Sequence, residues 1–181
     1  MGIFNRNQHG KWKGSEIVRR YREYAQQFRV GKRRPLNAAT YGEDPNHWGH
    51  LVMNRVIQGI DAHDPACAQI GIELIEEDRG FLFGAIYKAN TAKALRRCES
   101  LTHGQISRIR SRVVGMLQSG EVPREYREYA KLLRAVGIGP YRKEIEDAVP
   151  RNRFATRAKA YFLNHCFPVD ETRAKSPSGE S

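Results

Sequence analysis

The feature that most restricts this chain is its punctuation. Apolar residues return at helical spacing, and Gly or Pro interrupts them every ~15–22 residues. Ile17, Tyr21, Tyr24, Ala25 and Phe28 line one face of a 3.6-residue repeat, between a capping Ser15 and a terminating Gly31. Cys67, Ile70, Gly71, Leu74 and Ile75 repeat that pattern behind Asp64 and Pro65, a capping side chain followed by proline at the first helical position. Thr102 caps a run that turns Ile106, Ile109, Val113 and Leu117 inward and closes at Gly120. Pro123 opens another, with Tyr126, Tyr129, Ala130, Leu133 and Val136 on its apolar face and Gly137 as its stop. Further helices are expected over about 47–60, 81–98 (one helix or a broken pair) and 154–166, with a short amphipathic segment before Val149. No convincing period-2 run is bounded by hairpin turns, so the expected fold class is all-α, with seven or eight short helices.

Short breaks between helices predict stacked antiparallel helical hairpins, or an irregular helical bundle. The 181 residues, 40% of them apolar, supply one compact core of ordinary size. Residues 1–14 are expected to form a flexible basic arm, 15–167 a single α-helical domain, and 168–181 a disordered polar tail. One pentapeptide occurs twice, Tyr21–Ala25 and Tyr126–Ala130; an internal duplication and a shared helix-face packing demand both account for it. The stretch Ala62–Ile75 places Asp64 and Pro65 ahead of an Ala-containing apolar helix and resembles a HEAT-like repeat helix. The resemblance extends over about residues 50–137. It implies an α-solenoid used as a binding surface, and implies no chemistry.

Several classes of protein are excluded. The longest apolar stretch, Phe81 to Tyr87, is far short of the ~18 residues that span a bilayer, so no membrane partner is expected. The first residues carry no secretory pattern, and Cys67, Cys98 and Cys166 are an odd, widely spaced set. Reduced thiols in a cytoplasmic protein are the expectation. Phosphate-loop and dinucleotide glycine motifs are missing and no nucleophile–base set is indicated by spacing, so neither a cofactor nor a catalytic residue is expected. His47 and His50 flank Trp48, but a zinc site would need two further ligands, and no metal is expected. Trp48 itself either stacks on a base or plugs the core from a loop. Glu73, Glu76, Glu77 and Asp78 read as a solvated acidic end of a helix.

Charge supplies the positive indication. The chain has 31 Lys and Arg against 20 Asp and Glu, a formal net charge of +11. Residues 1–35 hold ten of those cations against Glu16 and Glu23 alone, a net of +8. Such a field attracts polyanions over about one Debye length, ~8–10 Å. Lys11, Lys13, Arg19, Arg20, Lys32, Arg33 and Arg34 are the candidates there. Arg108, Arg110 and Arg112 join them from a helix with no acidic residue between Thr102 and Ser119. Lys88, Lys93, Arg96 and Arg97 precede that helix, and Arg151, Arg153, Arg157 and Lys159 form another basic run. Aligned by helix stacking, these would make a stripe that neutralises nucleic-acid phosphates without reading bases. The alternative is an interaction adaptor that docks an acidic protein on a HEAT-like surface. Both are expected to be non-enzymatic.

Overall fold

The computed structural model describes residues 10–37, 49–77 and 84–167, together with the backbone but not the side chain of His50. The described residues form eight helices and no strand: α1 Gly14–Gln27, α2 His50–Asp61, α3 Pro65–Glu76, α4 Gly84–Leu95, α5 His103–Gln118, α6 Tyr126–Val136, α7 Arg142–Asp147 and α8 Arg153–His165. The protein is all-α. None of these helices is long and apolar enough to cross a membrane. The first nine residues of the expected arm, the tail from 168 onward, and His47 and Trp48 lie outside the described residues.

Side-chain caps set several helix starts. Asp64 accepts from the backbone N–H groups of Ala66 and Cys67 to begin α3, with Pro65 behind it. Thr102 and Gln105 form a reciprocal capping box at α5. Asn152 caps α8 through the N–H groups of Phe154 and Ala155. At α1 the expected cap was misplaced. Ser15 lies inside the helix, Lys13 is the extended residue before it, and Trp12 is buried, so the helical unit begins within the expected arm. The cause is packing: Trp12 contributes its indole to the core and its carbonyl accepts from Gly49 N–H, which fixes the chain ahead of the first helical turn. The other end differs too. The helix stops at Gln27, ahead of Gly31, because Arg29 adopts φ +53° and its N–H and that of Val30 turn back to Gln26 and Ala25.

The helices pack in two rows. One holds α1, α3, α5 and α7, each against the next; the other holds α2, α4, α6 and α8 in the same manner. Between them lies one core with Ile17, Tyr21, Val56, Ile60, Ile70, Leu74, Leu95, Ile109, Leu117, Tyr126, Leu133 and Phe162. The two copies of the pentapeptide fall in different rows, yet each buries its first Tyr and its Ala. Tyr21 donates to the Asp64 carboxylate, and Tyr126 donates to the Val113 carbonyl. Cys67 and Cys98 are buried, and all three cysteines are free thiols.

Candidate anion-binding groove

Glu73, Glu76 and Glu77 at the acidic end of α3 are engaged by the fold rather than solvated, and Asp78 lies outside the described residues. Glu73 is 8% exposed and forms an ion pair with Arg20, also buried, while accepting from the Tyr24 hydroxyl. Burial, reinforced by that bond, pushes the Tyr24 phenol up to about 12. Lys11 Nζ stands 3.9 Å from the same carboxylate. Arg20 also donates to the Lys11 carbonyl and lies 4.7 Å from the Trp12 ring centre. Trp12 Nε1 donates to Glu77 at 3.3 Å. Arg108 grips Glu76 through two hydrogen bonds, 2.9 Å and 2.5 Å.

Most sequence-predicted cations are thereby committed within the fold. Arg19 is held between Glu16 and Glu23 on its own helix. Arg34 Nε lies 4.0 Å from Asp64, and its backbone N–H donates to Tyr21. Arg110 donates to the carbonyls of Val136 and Gly137, closing the end of α6. Arg112 donates to the Ile75 carbonyl at the end of α3. Lys13 is half-buried, its side chain lying along Gly10. Lys32 and Arg33 alone among the ten are exposed without an ion pair to any described residue. The structure therefore does not bring Arg20, Arg108, Arg110 and Arg112 to one open stripe; they satisfy carboxylates and helix-end carbonyls instead.

A different set of cations meets on the second row. A groove of about 1050 Å³ runs across α4, α6 and α8. Helix α4 lines it with Ala85, Ile86, Ala89 and Lys93, spaced to share one helix face. Helix α8 contributes Phe154, Arg157, Ala158 and Tyr161 at i, i+3, i+4 and i+7. Arg127, Glu128, Ala130 and Lys131 of α6, with Arg124 and Glu125 before it, form the middle. Loop contacts register these walls: Asn152 Nδ2 donates to the Val122 carbonyl at 3.0 Å, and Arg151 N–H to the Gly120 carbonyl at 2.6 Å. The floor is largely small and aliphatic, and Ile86 leaves 58% of its surface in solvent.

The groove is electropositive in a graded way. Its lining holds five cations and two carboxylates, a net of +3. Glu128 accepts from Lys131 at 3.3 Å and Arg127 at 3.4 Å, with Arg96 at 3.8 Å. Burial works against its ionised form, but the hydrogen bond and charge of Lys131, followed by those of Arg127, hold the carboxyl below its ordinary value. Arg124 and Arg157 are exposed and make no ion pair with any described residue. Lys93, Arg96 and Arg157 belong to basic runs visible in the sequence. Arg124, Arg127 and Lys131 were missed, because Glu125 and Glu128 interleave with them and cancel the local charge count.

Among the described residues no group of three or more His, Cys, Asp or Glu side chains is placed to hold a metal ion. Comparison of the chain with protein-family models, curated proteins and solved structures returns no match.

Proposed function

We propose that this chain is a non-enzymatic binding protein that engages an anionic macromolecule through the groove on α4, α6 and α8. The observation that carries the reading is the convergence of three helix faces on one concave surface, where Arg124 and Arg157 stand exposed and unpaired among described residues. Concave surfaces lined by apolar side chains and a few placed polar groups are the usual form of a binding site. Two rows of helices are also what a stack of hairpins would produce. The HEAT-like reading is kept as part of the proposal, although the described helices, 6 to 16 residues long, show no regular repeat.

The test is double charge reversal, Arg124→Glu with Arg157→Glu, assayed by fluorescence anisotropy at low salt against a labelled acidic peptide whose glutamates are interspersed with leucines. The expected result is a loss of at least about tenfold in affinity, with the remaining binding less sensitive to salt. Unchanged affinity in the double variant refutes the groove as the site.

A second reading rests on a separate surface. On α1 and the loop that follows it, Arg22, Arg29, Lys32 and Arg33 are all exposed and make no ion pair with any described residue. This local set is proposed to contact nucleic-acid phosphates, retaining Lys32 and Arg33 from the longer stripe expected of the sequence. Each lost phosphate contact should reduce the salt slope by roughly 0.7–0.9.

A further inference from the structure

The chemistry of the groove narrows what can fill it; the inference that follows rests on the groove reading above. We infer that its occupant is an acidic amphipathic helix of a partner protein. Four features converge on that class. First, the floor is made of Ala85, Ala89, Ala130 and Ala158 beside the exposed Ile86. Small side chains let another backbone come close, and an exposed isoleucine gains from an apolar partner residue. A phosphodiester backbone offers it none.

Second, each of the two rings in the lining already has a neighbour from outside the groove. The Arg153 guanidinium lies 4.8 Å from the centre of the Phe154 ring. Tyr161 has His165 at 4.8 Å, and its hydroxyl accepts from Arg134 at 3.3 Å. These contacts leave fewer open ring faces for bases to stack on. Third, Glu125 and Glu128 sit within the lining. They oppose a continuous polyanion, whose charges fall at every residue along the groove. A helix with carboxylates on its flanks and leucine-like residues at i, i+3, i+4 and i+7 can match Arg124 and Arg157 while passing the two glutamates.

Fourth, the dimensions suit a helix. Packed helices lie 8–10 Å apart, so three of them present a surface about 20 Å across, the length of roughly thirteen helical residues. The pieces thus assign the apolar floor to recognition and the cationic rim to steering and orientation.

The experiment uses the full chain and three labelled probes at matched net charge: an amphipathic acidic peptide of about eighteen residues, its scrambled isomer, and a single-stranded oligonucleotide. The ordered peptide should bind at least about tenfold more tightly than the scramble and gain helical circular dichroism on binding. Ala85→Trp, at an exposed position, should block it by about tenfold or more with the melting temperature of the free protein unchanged. Ile86→Ser should weaken it roughly three- to tenfold. Equal binding of peptide and scramble, both abolished by reversal of Arg124 and Arg157, overturns the helix inference and leaves the groove reading standing. Tighter binding of the oligonucleotide, likewise abolished by reversal of Arg124 and Arg157, overturns it in the same way. Indifference of every probe to that reversal removes the groove reading and this inference together.

Discussion

Glu128 offers the sharpest separation of folding from binding, because its removal should move the two in opposite directions. The carboxylate is 10% exposed and draws in Lys131, Arg127 and Arg96 at 3.3, 3.4 and 3.8 Å. Glu128→Gln keeps the shape and an acceptor oxygen while deleting the charge. Two of the three partners are one-third exposed, and Arg127 is mostly in solvent. Pairs of this kind contribute about 0.2–1 kcal/mol each, and the neutral amide recovers part of the cost of burying a carboxylate. The net loss of stability should be about 1 kcal/mol, or roughly 2–4 °C in melting temperature for a chain of this size.

Binding should respond the other way. Deleting one negative charge within the groove lifts its lining from +3 to +4. A partner carboxylate about 8 Å away gains roughly 0.5–2 kcal/mol between the bulk-water and protein-surface dielectric limits, and salt leaves the lower part of that range. The variant should therefore bind an acidic amphipathic peptide about two- to fivefold more tightly while melting earlier. Titration supplies an internal check. The folded carboxyl sits below its ordinary value near 4.5, so its stabilisation is present above that pH and disappears as pH falls through the lower folded value. The melting gap between wild type and Glu128→Gln should hold constant at neutral pH and close in acid. Equal or weaker binding by the variant would show that incoming anions do not sense Glu128, and the groove would not be where they dock.

Gly59→Ala should destabilise the fold by about 1–2 kcal/mol despite better helix propensity, since the new methyl would overlap Cys67 Sγ, its nearest neighbour, with Cys67 Cβ 2.9 Å away. Adding Cys67→Ala should recover about 0.5 kcal/mol or more in a denaturation double-mutant cycle, and strict additivity would show that this contact does not set the α2–α3 approach. Arg29→Gly relieves a left-handed residue at φ +53° and should raise the melting temperature by about 1–2 °C, net of the added freedom of the unfolded chain. The same variant should weaken oligonucleotide binding about two- to threefold; wild-type binding would remove Arg29 from the phosphate-contacting surface.

Local helix signals were the legible part of this chain. Asp64 with Pro65, Thr102, and Gly137 mark real ends because caps and stops act over three or four residues. The apolar face of α6 is equally plain, since Tyr126, Tyr129, Ala130 and Leu133 are all buried. Where long-range packing decides, the local signal fails. Ser15 has the chemistry of a cap, but burial of Trp12 fixes the chain before it and α1 starts at Gly14. Gly31 has the flexibility of a stop, but Arg29 takes the left-handed position first.

Charge was less legible than helicity for a related reason. Counting cations along a chain treats each as available, whereas Arg20 and Glu73 are 53 residues apart and Arg108 and Glu76 are 32 apart. A helix end that reads as solvated acid and a helix that reads as bare arginine are two halves of one contact. Among the cations left after removing committed residues are Arg22, Arg29, Lys32 and Arg33 on α1 and the loop after it, and Arg124 with Arg157 in the groove. On the proposed reading, the second surface is the more selective because its surplus charge is small. With two carboxylates among five cations, attraction alone discriminates weakly between anions, and the fit of an apolar stripe on the alanine floor must choose the partner.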